Sequence, residues 1–160
     1  MAVITGILNT EQVVPSDVFG YEVNTDVGYG RETFTITVGA GVRVGTVLEV
    51  DYAAKIGKQI GTLANAAAVT ALGELAVFVG RDLPTNPSTF QDFDRLTMKA
   101  NGKGVAIVKG DGRGVLKKGY LDIGGKQFYS LPADVQAALV AKFTTENRFK
   151  VLDQQYTTAV

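Results

Sequence analysis

Between Arg31 and Val50 the chain alternates and then breaks. Phe34, Ile36 and Val38 take every second position with Thr33, Thr35 and Thr37 between them, a pattern that buries one face of a strand and leaves the other in water. Gly39, Gly41 and Gly45 follow, and Thr46-Val47-Leu48-Glu49-Val50 resumes as a second, β-branched strand. The glycines approach the phosphate-binding spacing G-x-G-x-x-G, but the third is one position late, and strand formers stand where that motif needs a helix. The segment therefore reads as structural β protein.

Further short β runs are expected at 75–80, 95–99, 104–109 and 114–117, with a short piece near 120–123, separated by glycine turns. Many short strands with close turns point to a mainly β fold, a small barrel or sandwich. Leu63 to Leu72 is alanine-rich and allows two or three helical turns before Gly73 stops it. Residues 83–94 carry Pro84 and Pro87 among small polar residues and read as an exposed loop, on which Phe90 and Phe93 could anchor to the core or touch another subunit. Beyond Gly124-Gly125, Ser130-Leu131-Pro132 supplies a helix start, and Val135, Ala138, Leu139 and Phe143 recur at helical spacing, which predicts one amphipathic helix of about 15 residues. Arg148-Phe149-Lys150-Val151 alternates like a strand.

Residues 1–30 behave differently. Val3, Ile4, Ile7, Leu8, Val13 and Val14 come in bursts broken by Pro15 and Gly20, with no sustained period. An extended arm that adds a strand to a partner's free sheet edge fits this pattern, and so does an ordinary packed edge strand. The resulting organisation is an extended N-terminal arm over 1–30, a β-rich domain over 31–123 and a helix-containing extension over 124–160 packed on the same domain.

Composition narrows the chemistry. Lysine plus arginine is 16 and aspartate plus glutamate is 16 in 160 residues, so long-range capture of nucleic acid is not favoured. No cysteine and no histidine occur, which removes thiolate nucleophiles, zinc–sulfur sites, serine triads and histidine-based metal sites. The start lacks a basic n-region and a long apolar run, and no segment reaches the roughly 18 apolar residues of a membrane span, so a soluble protein made in the cytoplasm, with no membrane partner, is expected.

The carboxylates Glu74, Asp82, Asp92 and Asp94 invite a two-carboxylate mechanism, but nothing in their spacing sets them across a cleft, and solvated loop charges explain them. Lys109-Gly110-Asp111-Gly112-Arg113-Gly114 could be a metal or anion turn; a hairpin connection between 104–109 and 114–117 explains the same residues. Tyr21, Tyr29, Tyr52, Tyr120, Tyr129 and Tyr156 are spread along the chain and not interleaved with basic residues, which suits core or interface duty better than base stacking. The expectation is a non-enzyme with no cofactor and no metal.

Three separated segments resemble, in their order, the lambda-type head decoration proteins of tailed bacteriophages. Arg31-Glu32-Thr33 leading through Ile36-Thr37-Val38 and Gly41 to Gly45-Thr46-Val47-Leu48 is similar to that family's strand, glycine turn and "G-T-V-L" strand. Leu75-Ala76-Val77-Phe78-Val79 with Arg81-Asp82-Leu83 stands where the family has a strand ending in an acidic pair, here replaced by arginine and aspartate. Gly104-Val105-Ala106-Ile107-Val108-Lys109-Gly110 and Gly114-Val115-Leu116 are similar to its last strands. The likeness covers roughly 31–123; the 84–94 insertion and the helical tail depart from it. It implies an SH3-like or tulip-type β domain that sits on the outside of an expanded capsid, as trimers at local threefold axes, and stabilises the shell against packaged DNA. The partners implied are the major capsid protein and further copies of this chain, and the location implied is the virion surface. Under it, Val3, Ile4, Ile7, Leu8, Val13, Val14 and Phe19 are the capsid-binding arm, and Phe90 and Phe93 are subunit contacts. The alternative is a small-molecule or carbohydrate binding module, with Tyr120 or Tyr129 at its pocket.

Overall fold

A computed structural model describes residues 13–24, 28–39, 41–81, 97–98 and 101–153. A single helical turn, α1 (Pro15–Val18), leads into β1 (Phe19–Tyr21), followed by β2 (Arg31–Thr37), β3 (Val42–Arg43), β4 (Val47–Asp51) and β5 (Ile56–Gln59). After α2 (Ala66–Thr70) come β6 (Glu74–Arg81), β7 (Thr97–Met98), β8 (Gly102–Ile107), β9 (Val115–Lys117), β10 (Asp122–Ile123) and β11 (Lys126–Gln127). The long helix α3 (Ala133–Thr145) and a last strand, β12 (Lys150–Leu152), complete the order.

Five of these strands close a barrel in the order β2-β5-β4-β6-β8, with β8 returning to β2. Closure pairs every barrel strand on both sides and so leaves the barrel no open edge. Only β2 and β5 run parallel; the other pairs are antiparallel. The alternation that opens the chain is visible in the result: Phe34 and Ile36 are buried inside the barrel while Thr33, Thr35 and Thr37 stay on its surface. Leu48, Val50, Ala76, Phe78 and Ala106 fill the rest of the interior. A Cβ on Gly104 would stand 2.5 Å from Ile36 Cδ1 and 2.6 Å from Phe78 Cε2, so the missing side chain is the room those two residues occupy.

A second, larger core lies outside the barrel. The unbroken apolar run of β6 serves both: Ala76 and Phe78 point inward, whereas Leu75, Val77 and Val79 point out toward α3 and the small strands. Val135, Leu139 and Phe143, one face of α3, are fully buried there with Phe149 and Leu116. Val18 and Phe19 belong to the same cluster. This core draws on all three stretches of the chain.

The glycine turn before β4 has a packing purpose. Gly45 adopts φ +91°, and a Cβ there would lie 2.6 Å from the Tyr120 carbonyl oxygen. Its own carbonyl accepts from the Asp122 N–H at 3.0 Å.

One expectation is corrected. The 109–114 turn does not close a hairpin: β8 pairs with β2 and β6, while β9 pairs with β1 and β12, so the turn carries the chain from the barrel to a separate three-stranded sheet. β5 was not foreseen, because Ile56-Gly57-Lys58-Gln59 holds only one apolar side chain and its parallel partner β2 lies across β3 and β4 in sequence.

Glu49 on β4 links the barrel to the end of α2. The Gly73 N–H donates to its carboxylate at 2.8 Å, and Lys58 Nζ lies 3.0 Å away. The backbone hydrogen bond, aided by Lys58 and opposed by partial burial, holds this carboxyl below the usual carboxylate range. Because the folded value is lower than the unfolded one, the contribution is present above the unfolded pKa of about 4.3 and is lost as pH falls through the folded value. Glu49→Gln is expected to lower stability at pH 7 by less than about 1 kcal/mol, with parent and variant converging in thermal melts near pH 3.

Candidate interaction surface

The three-stranded sheet β1-β9-β12 is where the described chain enters and leaves. β1 runs antiparallel to β9 and β12 runs parallel to it, with Phe19 opposite Leu116 and Leu152 opposite Lys117. Phe19, which opens β1, and Leu152, which closes β12, therefore lie at the same end of the sheet. Side chains reinforce that end: Lys117 Nζ donates to the Ser16 carbonyl at 3.0 Å, and Lys118 Nζ meets Asp153 at 2.7 Å. Tyr129 donates its hydroxyl to the same carboxylate at 3.2 Å, and these cationic and hydroxyl partners hold Asp153 below the usual carboxylate range. The outer edges of β1 and β12 have no strand partner among the described residues. Tyr21 and Leu152, at 54% and 40% exposure, stand on those two edge strands.

The proposed arm residues fall into three groups. Val3, Ile4, Ile7 and Leu8 lie outside the described residues, as do Phe90 and Phe93. Val14 is exposed, and Val13 is partly buried against the larger core. Phe19 is corrected from a capsid-contact residue to a core residue: it is 8% exposed and its strand pairs with β9. The reason is α1, whose turn buries Val18 and lays Phe19 onto the sheet; Asp17 accepts from the Val14 N–H at 2.9 Å and fixes the start of that turn.

The opposite end of the same sheet carries an open cleft of about 610 Å³. One wall is Tyr21 to Asn24, just beyond β1. It is pinned to the barrel by Glu22, which takes a two-pronged hydrogen bond from Arg31 at 2.5 and 2.7 Å; that bond raises the arginine above its ordinary value. The turn Asp111-Gly112-Arg113 and the exposed Arg148 supply the rest of the lining. Gly110 and Gly112 donate their N–H groups to the Asn147 and Arg148 carbonyls, both at 2.7 Å, and Arg148 Nη1 meets Asp111 at 3.1 Å.

Asn147 anchors this junction from beneath. Only 5% exposed, it donates from Nδ2 to the Leu75 carbonyl at 2.7 Å and to the Val108 carbonyl at 2.9 Å, tying the end of α3 to β6 and to the exit of β8. Nothing in its sequence context marks it; the one signal is an amide residue just past the end of a strong helix.

Tyr120 and Tyr129 do not line the cleft. Tyr120 packs against the larger core, and Tyr129 is bonded to Asp153 at the other end of the sheet. Among the candidate carboxylates Glu74 is an exposed residue at the start of β6, and Asp82, Asp92 and Asp94 lie outside the described residues. Among the described residues no group of three or more acidic side chains is placed to hold a metal ion, and no helix is long and apolar enough to cross a membrane.

No protein-family model matches this chain, and no curated protein or solved structure matches it.

Proposed function

We propose that this protein is a structural virion component that binds the outside of an expanded phage capsid, as trimers at local threefold axes, with the first dozen residues adding a strand to a capsid-protein sheet. One observation carries the reading: the barrel closes its own edges, while Val13, which follows the apolar stretch Val3, Ile4, Ile7 and Leu8 in sequence, leads into a small sheet whose outer edges have no strand partner among the described residues. Main-chain hydrogen bonds along an added strand offset the entropy of ordering it, and its apolar side chains supply the contact. Zero formal charge suits a surface crowded with copies of itself. The bound arm and the body then act as two linked attachments, each raising the effective concentration of the other.

The packing of α1 and β1 defines the test. Removal of residues 2–12 leaves Val18 and Phe19 in the core, so it removes the arm and spares the fold. Full-length protein is expected to co-sediment saturably with expanded heads of the phage that encodes it and not with unexpanded ones. The truncated protein is expected to melt at the parent temperature and to bind at least about tenfold more weakly, the loss of roughly 1.4 kcal/mol or more of strand contact. Absence of full-length binding to both head forms would overturn the proposal.

A further inference from the structure

The cleft at the far end of the β1-β9-β12 sheet has no part in the proposed capsid contact. We propose that it binds an acidic sugar, with the ring face on Tyr21, the carboxylate on Arg113 and hydroxyl groups on Asn24 and Asp111.

The lining has the chemistry such a ligand needs. Tyr21 is half-exposed and offers an apolar ring face beside a polar rim. The amide of Asn24, the carboxylate of Asp111 and the guanidinium groups of Arg113 and Arg148 are planar groups that bond in pairs, and all four line this cleft. Arg148 is committed to Asp111 at 3.1 Å, whereas Arg113 has no ion pair among the described residues and is exposed. The site thus holds one uncommitted positive charge, matched to one carboxylate and well placed to take it with two parallel N–H bonds. Asp111 disfavours a doubly charged phosphate but accepts readily from sugar hydroxyls. A volume of about 610 Å³ lies in the range of small-molecule sites.

The backbone gives independent support. Four non-glycine residues among those described have positive φ, and three of them, Asn24 (49°), Asp111 (50°) and Arg148 (57°), line this cleft. Asparagine and aspartate tolerate that region, but arginine is strained there and glycine would relieve it. The residue held in that strained conformation contributes its guanidinium to the lining. Because the cleft lies at the end of the sheet opposite Phe19 and Leu152, a capsid held at their end leaves the cleft facing outward; that orientation alone rests on the proposed function.

The test is a titration of the 15N-labelled full chain with glucuronic acid, with glucose and acetate as separate probes. Saturable shifts at the Gly112 and Arg113 amides are expected with glucuronic acid, at a Kd on the order of 1 mM. Glucose and acetate are each expected to bind at least about tenfold more weakly, since each supplies half of the contacts. Arg113→Ala is expected to weaken glucuronic acid about tenfold, and Arg148→Gly to weaken it while keeping or raising the melting temperature. No saturable shift with glucuronic acid overturns the proposal, as does equal binding of acetate or of glucose, or parent-like binding by Arg113→Ala. Arg113→Ala is expected to co-sediment with heads as the parent does, so failure of the cleft and failure of the capsid reading are separately visible.

Discussion

Asn147→Ala is expected to lower stability by about 3 kcal/mol, because two buried carbonyls, those of Leu75 and Val108, lose the donors that satisfy them at 2.7 and 2.9 Å. Each unsatisfied carbonyl costs about 1–3 kcal/mol, and removal of the side chain leaves a small void among packed neighbours. For a chain of this size the melting temperature should fall by roughly 6–12 °C. Asn147→Asp sharpens the test. An ionised carboxylate facing two carbonyl oxygens can donate to neither, so this variant should be less stable than the alanine variant at pH 7. Only the protonated acid donates, which raises the folded pKa above the unfolded value of about 3.9; its deficit should therefore shrink as pH falls and grow as pH rises through the folded value. Thermal melts of parent and both variants at pH 7 and pH 3 measure this. An alanine variant that melts with the parent would mean the two carbonyls find other donors, and Asn147 would not be the clasp described.

Gly110→Ala is expected to cost about 2–4 kcal/mol for a purely spatial reason. The new Cβ would lie 2.5 Å from Phe149 Cδ1, 2.7 Å from the Arg148 carbonyl oxygen and 2.8 Å from Phe149 Cα. Two of these are backbone atoms, so the collision cannot be relieved by rotating a side chain. The turn must instead lift off the 147–150 segment, weakening the Gly110 N–H bond to Asn147 at 2.7 Å and the Lys150 N–H bond to the Gly114 carbonyl at 2.8 Å. Gly125→Ala is the contrasting control. It sits at φ +79° with open space around it, so it pays backbone strain alone, about 1 kcal/mol. Urea unfolding compares the two costs, and amide exchange at Lys150 reports whether β12 has come away from β9. Equal small costs at both positions, with Lys150 still protected, would refute the close-approach explanation.

Both substitutions strike one junction, and that junction was invisible along the chain. The 109–114 turn is recognisable from its glycines, but its neighbours are not: Tyr21 and Asn24 precede it by some ninety residues and Arg148 follows by more than thirty. The hairpin expected there failed because turn chemistry states that the chain reverses, not which strand it will join. β9 contains only Val115-Leu116-Lys117, and so short a strand takes its partners from whatever edge the larger core brings near, in this case β1 and β12. Phe19 was misplaced for a related reason. A burst of apolar residues broken by proline looks alike whether it is an arm or a docked edge, and burial of Val18 and Phe19 in one cluster with Leu116 makes those two residues part of the docked edge.

The sequence by itself determined the elements whose pattern is long enough to be read locally. Alternation placed β2 with Phe34 and Ile36 inside, the Leu75–Val79 run marked a strand, and helical spacing marked Val135, Leu139 and Phe143 as one buried stripe. A mainly β barrel or sandwich with a C-terminal helix follows from those elements, and the barrel is the one observed. Only the tertiary structure decided how the barrel closes through β5, which sheet receives Phe19–Tyr21, and that Phe19 and Leu152 lie at the end of that sheet opposite a polar cleft. Each of those depends on contacts between residues far apart in sequence, where burial and backbone pairing, and not any local preference, set the free energy.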